Sequence, residues 1–365
     1  MTLVAGVDSS TSATKVEVRD VDTGALVGRG AAPHPATRPP RSEQSPDDWW
    51  AAFEAAWSRA GTPSVAAISV AGQQHGLVVL DGQRRVVRPA KLWNDTESAD
   101  DAAALLDRLP GGAAGWAAAC GSVPVASFTI TKLAWLHRVE PESWGRLAHV
   151  LLPHDWLTWR LTGGLTTDRG DASGTGYWSP IDDGYRFDLL ALVDDGVLWE
   201  SAVPVVLGPL ERAGTWEGAV VAPGSGDNMA GAMGIGLRPG DVAVSLGTSG
   251  TVYAVSDRPT GDASGAVAGF ADATGRFLPL VCTLNATRVT DAVRRLLGVD
   301  HGTLDELARA AAPGAGGLVL LPYLDGERTP NRPEATGVLA GLRTDVTREQ
   351  LARAAFEGVV CGLLD

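Results

Sequence analysis

The chain opens on an apolar run, LVAGV (3–7), then a polar turn, SSTSAT, then VEVRDV, in which apolar and polar residues alternate. A short continuous apolar run suits a strand covered on both faces, and period-two alternation suits a half-exposed one. Asp-Thr-Gly is a second turn signal, and ALV begins a third strand. The pattern therefore predicts strand–turn–strand–turn–strand, an antiparallel opening. After the proline-rich loop RPPRSEQSP the period changes. Ser45-Pro46-Asp47-Asp48 reads as a helix start, with Ser as cap, Pro at the first position and acids on the positive end of the dipole. Trp50, Phe53 and Trp57 fall at i, i+3 and i+7, one apolar face that reads as core rather than as a cofactor stripe. VAAISVAG (65–72) predicts another buried strand running into the loop QQHG, and residues 98–109 a helix stopped by Pro110-Gly111.

The same hydrophobic signature recurs far down the chain. VDSSTSATKVEV (7–18) and VSLGTSGTVYAV (244–255) each read as a short strand, a turn of small and hydroxyl residues containing Thr-Ser, and a second apolar strand. Thr11 aligns with Thr248. Such a duplication predicts two related α/β domains, each offering one tight turn to a cleft; a chance match of two hairpins is the plain alternative.

These turns are where chemistry enters. A turn of Gly, Ser and Thr lets backbone approach a phosphate closely, with N–H groups and hydroxyls as donors. Asp8, ending the first strand, is a natural partner for a metal ion that bridges phosphate oxygens. Asp227, in GSGDNMAGAMGIG, sits among glycines that let a substrate come near. A helix N-terminal position would keep its carboxylate ionised. A helix cap is the alternative reading. Gln73-Gln74-His75-Gly76 follows a strand, where α/β proteins often place binding groups for hydroxyls. Trp93, Asn94 and Asp95 set an aromatic face beside polar groups, suiting a sugar pocket or a helix cap. His154 and Asp155, which could bond to each other, have no Ser to complete a triad and read as structural. No HExxH, P-loop or GxGxxG is present.

Composition narrows the class. The chain has 365 residues, 45% hydrophobic and 20% charged, enough for two globular domains. A formal charge of −13 argues against sequence-independent nucleic-acid binding but not against a local nest for an anionic nucleotide. Cys120, Cys282 and Cys361 are widely spaced and read as buried thiols in a reducing cytosol. Neither a signal peptide nor a membrane-spanning apolar run is visible, so the expected location is cytoplasmic and no membrane partner is expected.

Taken together and in order, VAGVDSSTSATK, SVAGQQHG, KLWNDTES, HDWLTWRLTG, TTDRGDASGTGYW, GSGDNMAGAMG, VSLGTSGT, LPYLDGERTPNRPEATG and FEGVVCGLLD resemble the blocks of the FGGY family of carbohydrate kinases, over essentially the whole chain. The resemblance is strongest to its members that act on D-xylulose. It implies an α/β fold of two ribonuclease-H-like domains, of the actin/hexokinase/Hsp70 superfamily, flanking a cleft. The first would span 1–236 with the sugar site and first phosphate turn, the second 237–365 with the second turn. The implied reaction is ATP-dependent phosphorylation of D-xylulose at O5, with Mg2+. Asp227 would be the base. Gln74, His75, Asp227, Asn228 and Trp93 would hold the ketose. Asp8 would organise metal and phosphates with Thr11 and Ser12, and Gly247, Thr248 and Ser249 would cradle the nucleotide. Homodimer formation is left open. The runner-up is a kinase for ribulose, gluconate or glycerol, or a non-catalytic sugar- or nucleotide-binding member. Two departures stand out. Ser10 replaces a Gly carried by many relatives, where a side chain either crowds the γ-phosphate or donates to it. The sequence also ends inside the expected signature helix, so the second domain is expected to be incomplete and kinase activity weak or absent.

Overall fold

In the computed structural model, every residue is described except Pro39 in the proline-rich loop, Pro333 in the block LPYLDGERTPNRPEATG, and Asp365 at the end of the second predicted domain. Strands β1 (Leu3–Ser9), β2 (Ala13–Asp20) and β3 (Leu26–Pro33) form the antiparallel meander that the alternation predicts, with Val7 opposite Val16 and Asp8 opposite Lys15. Along β2, Val16 and Val18 are fully buried while Lys15 and Arg19 face out, the period-two pattern of a half-exposed strand. On its other edge β1 runs parallel to Ala67–Gly72. That strand in turn pairs in parallel with Ala219–Val221 and, further along, with Ser225–Gly226. Gly214–Trp216 closes the edge antiparallel. An antiparallel meander extended by parallel strands is the ribonuclease-H-like arrangement expected.

Helix α1 (Pro46–Arg59) makes the crossover from β3 to Ala67–Gly72. Two glycines let it lie close on the sheet: a Cβ at Gly30 would stand 1.8 Å from the Ala56 carbonyl oxygen, and one at Gly28 2.3 Å from that of Ala60. Phe53 and Trp57 are buried as the pattern predicts, but the deepest aromatic is Trp49, fully buried, whose indole donates to Gln44 Oε1 at 2.8 Å. Trp50 is only half-buried, under the Arg160 guanidinium 4.5 Å away. Ser45 stands at the predicted cap, yet its hydroxyl makes no capping bond; the Asp48 amide donates to the Ser45 carbonyl instead. A second core, with Trp116, Ile130, Leu133 and Leu136, lies among the helices Ala99–Arg108, Gly112–Cys120 and Thr129–Val139.

The chain separates into two compact units, Met1–Pro239 with Val255–Pro279, and Gly240–Ala254 with Leu280–Asp365. In the second, Val242–Leu246 and Gly250–Ala254 form an antiparallel hairpin, and Gly250–Tyr253 pair onward with Leu280–Thr283. Helices Thr287–Leu297, His301–Ala310 and Arg348–Leu364 supply its core, including Val289, Val293, Ala352, Ala355 and Val359. Each unit thus carries the hairpin that the repeat predicts, with one difference. Ser9 faces Thr14, leaving the four residues Ser10–Ala13 in the first turn, whereas Leu246 faces Gly250, leaving only Gly247–Ser249 in the second. Alignment of Thr11 on Thr248 therefore holds through the first strands and is one residue out of step in the second strands. Side-chain period being two, that slip swaps the faces.

Cys120 and Cys282 are buried, and burial pushes the Cys120 thiol up to about 12. Cys361 is exposed, which corrects the reading of all three as buried. Among the described residues no helix is long and apolar enough to cross a membrane.

Candidate active site

Asp227 is placed by a strand that stops abruptly. Ser225 and Gly226 lie beside Ala71 and Gly72, and the helix Asp227–Gly234 starts at once, with Gly226 as its cap and Asp227 as its first residue. Glycine at 226 lets the two segments lie close: a Cβ there would stand 2.7 Å from Gln74 Cγ, so the Gln74 side chain would have to move. Gln74 and the Asp227 turn are thereby brought into one hydrogen-bonded line. Asn228 Nδ2 donates to Gln74 Oε1 at 2.9 Å and to Asp227 Oδ1 at 3.0 Å, and the Asn228 amide donates to the same carboxylate oxygen at 2.9 Å. Gln74 is buried, yet its Nε2 donates to none of the described residues. A buried amide of this kind suits a polar ligand, because leaving it unbonded is costly.

His75 adopts φ +65°, in the left-handed region that non-glycine residues avoid. It is held there from two sides. Its Nδ1 lies 2.6 Å from the Gly174 carbonyl, and its ring stacks on Phe128 at 5.0 Å and tilts against Phe270 at 5.4 Å. With a carbonyl at Nδ1, that nitrogen carries the proton of the neutral ring, and Nε2 is the acceptor.

The Asp227 carboxyl is pushed up to about 7, first by burial and then by the charge of Asp8; the amides of Asn228 and Asp227 itself oppose the shift. The expectation that the helix N-terminus keeps this group strongly acidic is corrected: two backbone amides do not offset desolvation plus a like charge. The group is a better base for it.

The turn Ser10–Ala13 is fixed from outside itself. Thr11 Oγ1 donates to Gln73 Oε1 at 3.0 Å and accepts from the Trp93 indole at 2.9 Å, and the Thr11 carbonyl accepts from Gln44 Nε2 at 2.9 Å. The Ser12 carbonyl accepts from the His34 amide at 2.8 Å. Ser10 Oγ turns back to the Ala13 carbonyl at 3.0 Å, inside its own turn. Asp8, with 43% of its side chain exposed, pairs with Lys15 at 2.9 Å. In the second unit, the turn Gly247–Ser249 is latched by backbone. The carbonyls of Gly247 and Thr248 accept from the amides of Thr287 and Ala286, at the start of the helix Thr287–Leu297.

Residues 3–194 match the N-terminal domain of the FGGY family of carbohydrate kinases, and residues 242–364 its C-terminal domain. The chain belongs to that family. It is similar to the xylulose kinase of Streptomyces coelicolor, with 51% identity over 99% of this chain and 75% of that protein, and to that of Escherichia coli, with 36% identity over 99% and 77%. Among solved structures, the xylulose kinase from Bifidobacterium adolescentis superimposes with a TM-score of 0.86 at 45% identity, over 99% of this chain and 80% of that one. A gluconate kinase from Lactobacillus acidophilus, 23% identical, shares the fold with a TM-score of 0.91.

In this FGGY chain, two buried charge clusters escaped the sequence reading. Asp95, read above as a pocket or capping residue, is fully buried in a cage around Lys91. The Lys91 ammonium lies 3.0 Å from Asp95, 3.2 Å from Glu43 and 2.5 Å from Glu97, with the Trp135 ring 3.8 Å away. The three acids stand close enough to hold a metal ion, but Lys91 lies among them, and Arg88 and Arg41 pair with Glu43 and Glu97 as further counter-charges. His154 Nε2 lies 3.2 Å from Asp155 but makes no hydrogen bond to it; the bonded partner is Asp171, at 2.7 Å from Nδ1, with Asp168 at 3.6 Å. The only trace of this in sequence is the pair of acids three apart in TTDRGDASG.

Proposed function

We propose that this protein transfers the γ-phosphoryl group of ATP to O5 of D-xylulose, with Asp227 as general base. The observation that carries the reading is the line Gln74–Asn228–Asp227 next to His75. It gathers a buried amide with donor capacity, an imidazole acceptor and a carboxylate raised to about 7. Amide and imidazole suit the hydroxyls of a ketose. The carboxylate suits the proton that the attacking hydroxyl must lose, since a base works best when its pKa lies near the operating pH. Phosphoryl transfer has a loose transition state, so such a base needs placement more than strength. The choice of D-xylulose over other acceptors draws on the likeness to named xylulose kinases at 51% and 36% identity.

Asp8 would hold Mg2+, which is commonly bound by one or two carboxylates plus phosphate oxygens; a single, partly exposed carboxylate at a strand end fits that need. When bound, the ion neutralises charge developing on the phosphates. Thr11 and Ser12 would shape the first phosphate turn, with the Trp93 indole holding the Thr11 hydroxyl. Gly247, Thr248 and Ser249 would line the second. Closure that excludes water is expected, because a base beside a γ-phosphate also activates water.

ADP release measured with D-xylulose, D-ribulose, D-gluconate and glycerol as acceptors tests the assignment. D-xylulose should give the highest kcat/KM. Turnover of gluconate or glycerol but not D-xylulose rejects it, and sugar binding by calorimetry without turnover of any acceptor, in a full-length protein, points to a binding protein.

A further inference from the structure

Two residues before Asp227, the Ser225 hydroxyl donates to Asp168 Oδ2 at 3.2 Å. Asp168 is otherwise occupied in starting the short helix Arg169–Ala172: its Oδ2 accepts from the Gly170 amide at 2.8 Å and its Oδ1 from the Asp171 amide at 3.0 Å. Asp168 and Asp171 both stand against the fully buried His154, whose Nδ1 is 2.7 Å from Asp171 Oδ2. The imidazole also backs the strand that leads to Asp227. A Cβ at Gly224 would stand 2.6 Å from His154 Cδ2, and one at Gly72 2.8 Å from His154 Cβ. On the helix that Asp227 begins, Met229 is fully buried; a Cβ at Gly170 would lie 3.0 Å from its Cγ. The junction is thus gripped by Gln74 on Gly226 and by this cluster on Gly224, Ser225 and Met229.

Such a cluster is an expensive way to fill a core. An imidazolium with Asp155, Asp168 and Asp171, all buried, carries a desolvation cost that apolar side chains of similar volume avoid. What it supplies is direction, through hydrogen bonds that fix the angle of the neighbouring backbone. We propose that the Asp168–His154–Asp171 cluster is a positioning device for Asp227, acting through the Ser225 hydroxyl. None of the three needs to touch substrate. The inference rests on the reading of Asp227 as the base, and the cluster's part is to hold the turn 224–227 so that the carboxylate meets the attacking hydroxyl.

The test uses the full chain and Ser225→Ala, which removes the tie but leaves the Asp168 cap bonds and the His154 pairs in place. Amide exchange in 225–230 should quicken about tenfold while that in 67–72 is unchanged. In turnover, kcat should fall about tenfold with KM for D-xylulose within about twofold, the split expected when an interaction acts on the reacting group rather than on binding. Ser225→Thr, which keeps the hydroxyl, should restore both, and a thermal melt of each variant reports folding. Unchanged exchange in 225–230 overturns the proposal, and so does faster exchange with unchanged kcat. Asp227→Ala run alongside separates the two readings: retained turnover there rejects the base itself, whereas lost turnover there with an unaffected Ser225→Ala rejects only the positioning device.

Discussion

Asp171 and Asp227 lie in the same unit, and burial raises the carboxyl of each, yet they keep opposite company. Asp171 is fully buried against a cation, with His154 Nδ1 2.7 Å away. Burial alone would lower the His154 pKa, but the charges of Asp155, Asp171 and Asp168, with the Asp171 bond, raise it well above the ordinary imidazole value. Asp227 has no such cation among its causes of shift. Its second is a like charge, Asp8, and its stabilising partners are amides. One acid is neutralised and embedded; the other is left uncomfortable. A protein tolerates the second kind where the discomfort has a use, and a raised carboxylate next to a buried amide whose Nε2 has no partner among the described residues is such a place.

The comparison breaks most sharply on removal of each acid. Asp227→Ala should lower kcat by about 10²- to 10⁴-fold, the range for loss of a positioned general base, with sugar affinity near normal. Steady-state kinetics and calorimetry decide it, and substantial turnover removes Asp227 from the role. Slow ATP hydrolysis without sugar should be measurable in the parent, since water can stand in for the hydroxyl.

Removal of the partner cation acts on the other side of the comparison. His154→Ala leaves buried carboxylates without their counter-charge and should cost about 3–5 kcal/mol of stability, the usual result of breaking a buried pair from one side. Denaturant unfolding measures it. A loss below about 1 kcal/mol would mean that the cluster is already neutral by protonation.

This contrast was only half legible in the sequence. Asp227 stood out because a lone acid among glycines is a local feature, readable from residues 224–236 alone. Its raised carboxyl was not, because burial and the Asp8 charge come from packing of segments more than 200 residues apart. Asp168 and Asp171 offered no signal strong enough to link them to His154, since nothing in periodicity says which loop a buried histidine will meet. The hairpin repeat shows the same limit on a smaller scale. Strand, turn and strand were readable in both copies, but the one-residue difference in turn length is set by pairing register. Ser45 and Trp50 failed for a related reason: the helix was placed correctly, while which aromatic faced inward depended on Gln44 and Arg160, residues outside the periodic stretch.

Stability against pH sharpens the comparison further. A carboxyl whose folded pKa lies above its unfolded value contributes stability that is fully present below the unfolded value and is lost as pH rises through the folded one. For Asp227 that window runs from the ordinary value of 3.8 up to about 7. Asp227→Asn carries no such charge, so the variant should melt close to the parent's Tm at about pH 3 and a few degrees above it at about pH 8. Equal Tm values at both ends would show that the carboxylate is better solvated than its neighbours imply.

The smallest effect expected concerns which end of the site Trp93 serves. The sequence reading puts it with the ketose, but its indole N–H is 2.9 Å from Thr11 Oγ1, in the turn Ser10–Ala13 proposed for phosphate. Trp93→Phe keeps an aromatic face and removes only that donor, while Thr11 retains Gln73 as a partner at 3.0 Å. One net hydrogen bond is worth about 1 kcal/mol, or roughly fivefold. A turn that has lost one of the two ties on its Thr11 hydroxyl should therefore raise KM for ATP by about that factor and leave KM for D-xylulose unchanged. A rise confined to the ketose would return Trp93 to the sugar pocket. It would also show that aromatic contact, unlike the Asp227 carboxylate, can be read from local sequence without knowing what the ring's polar edge touches.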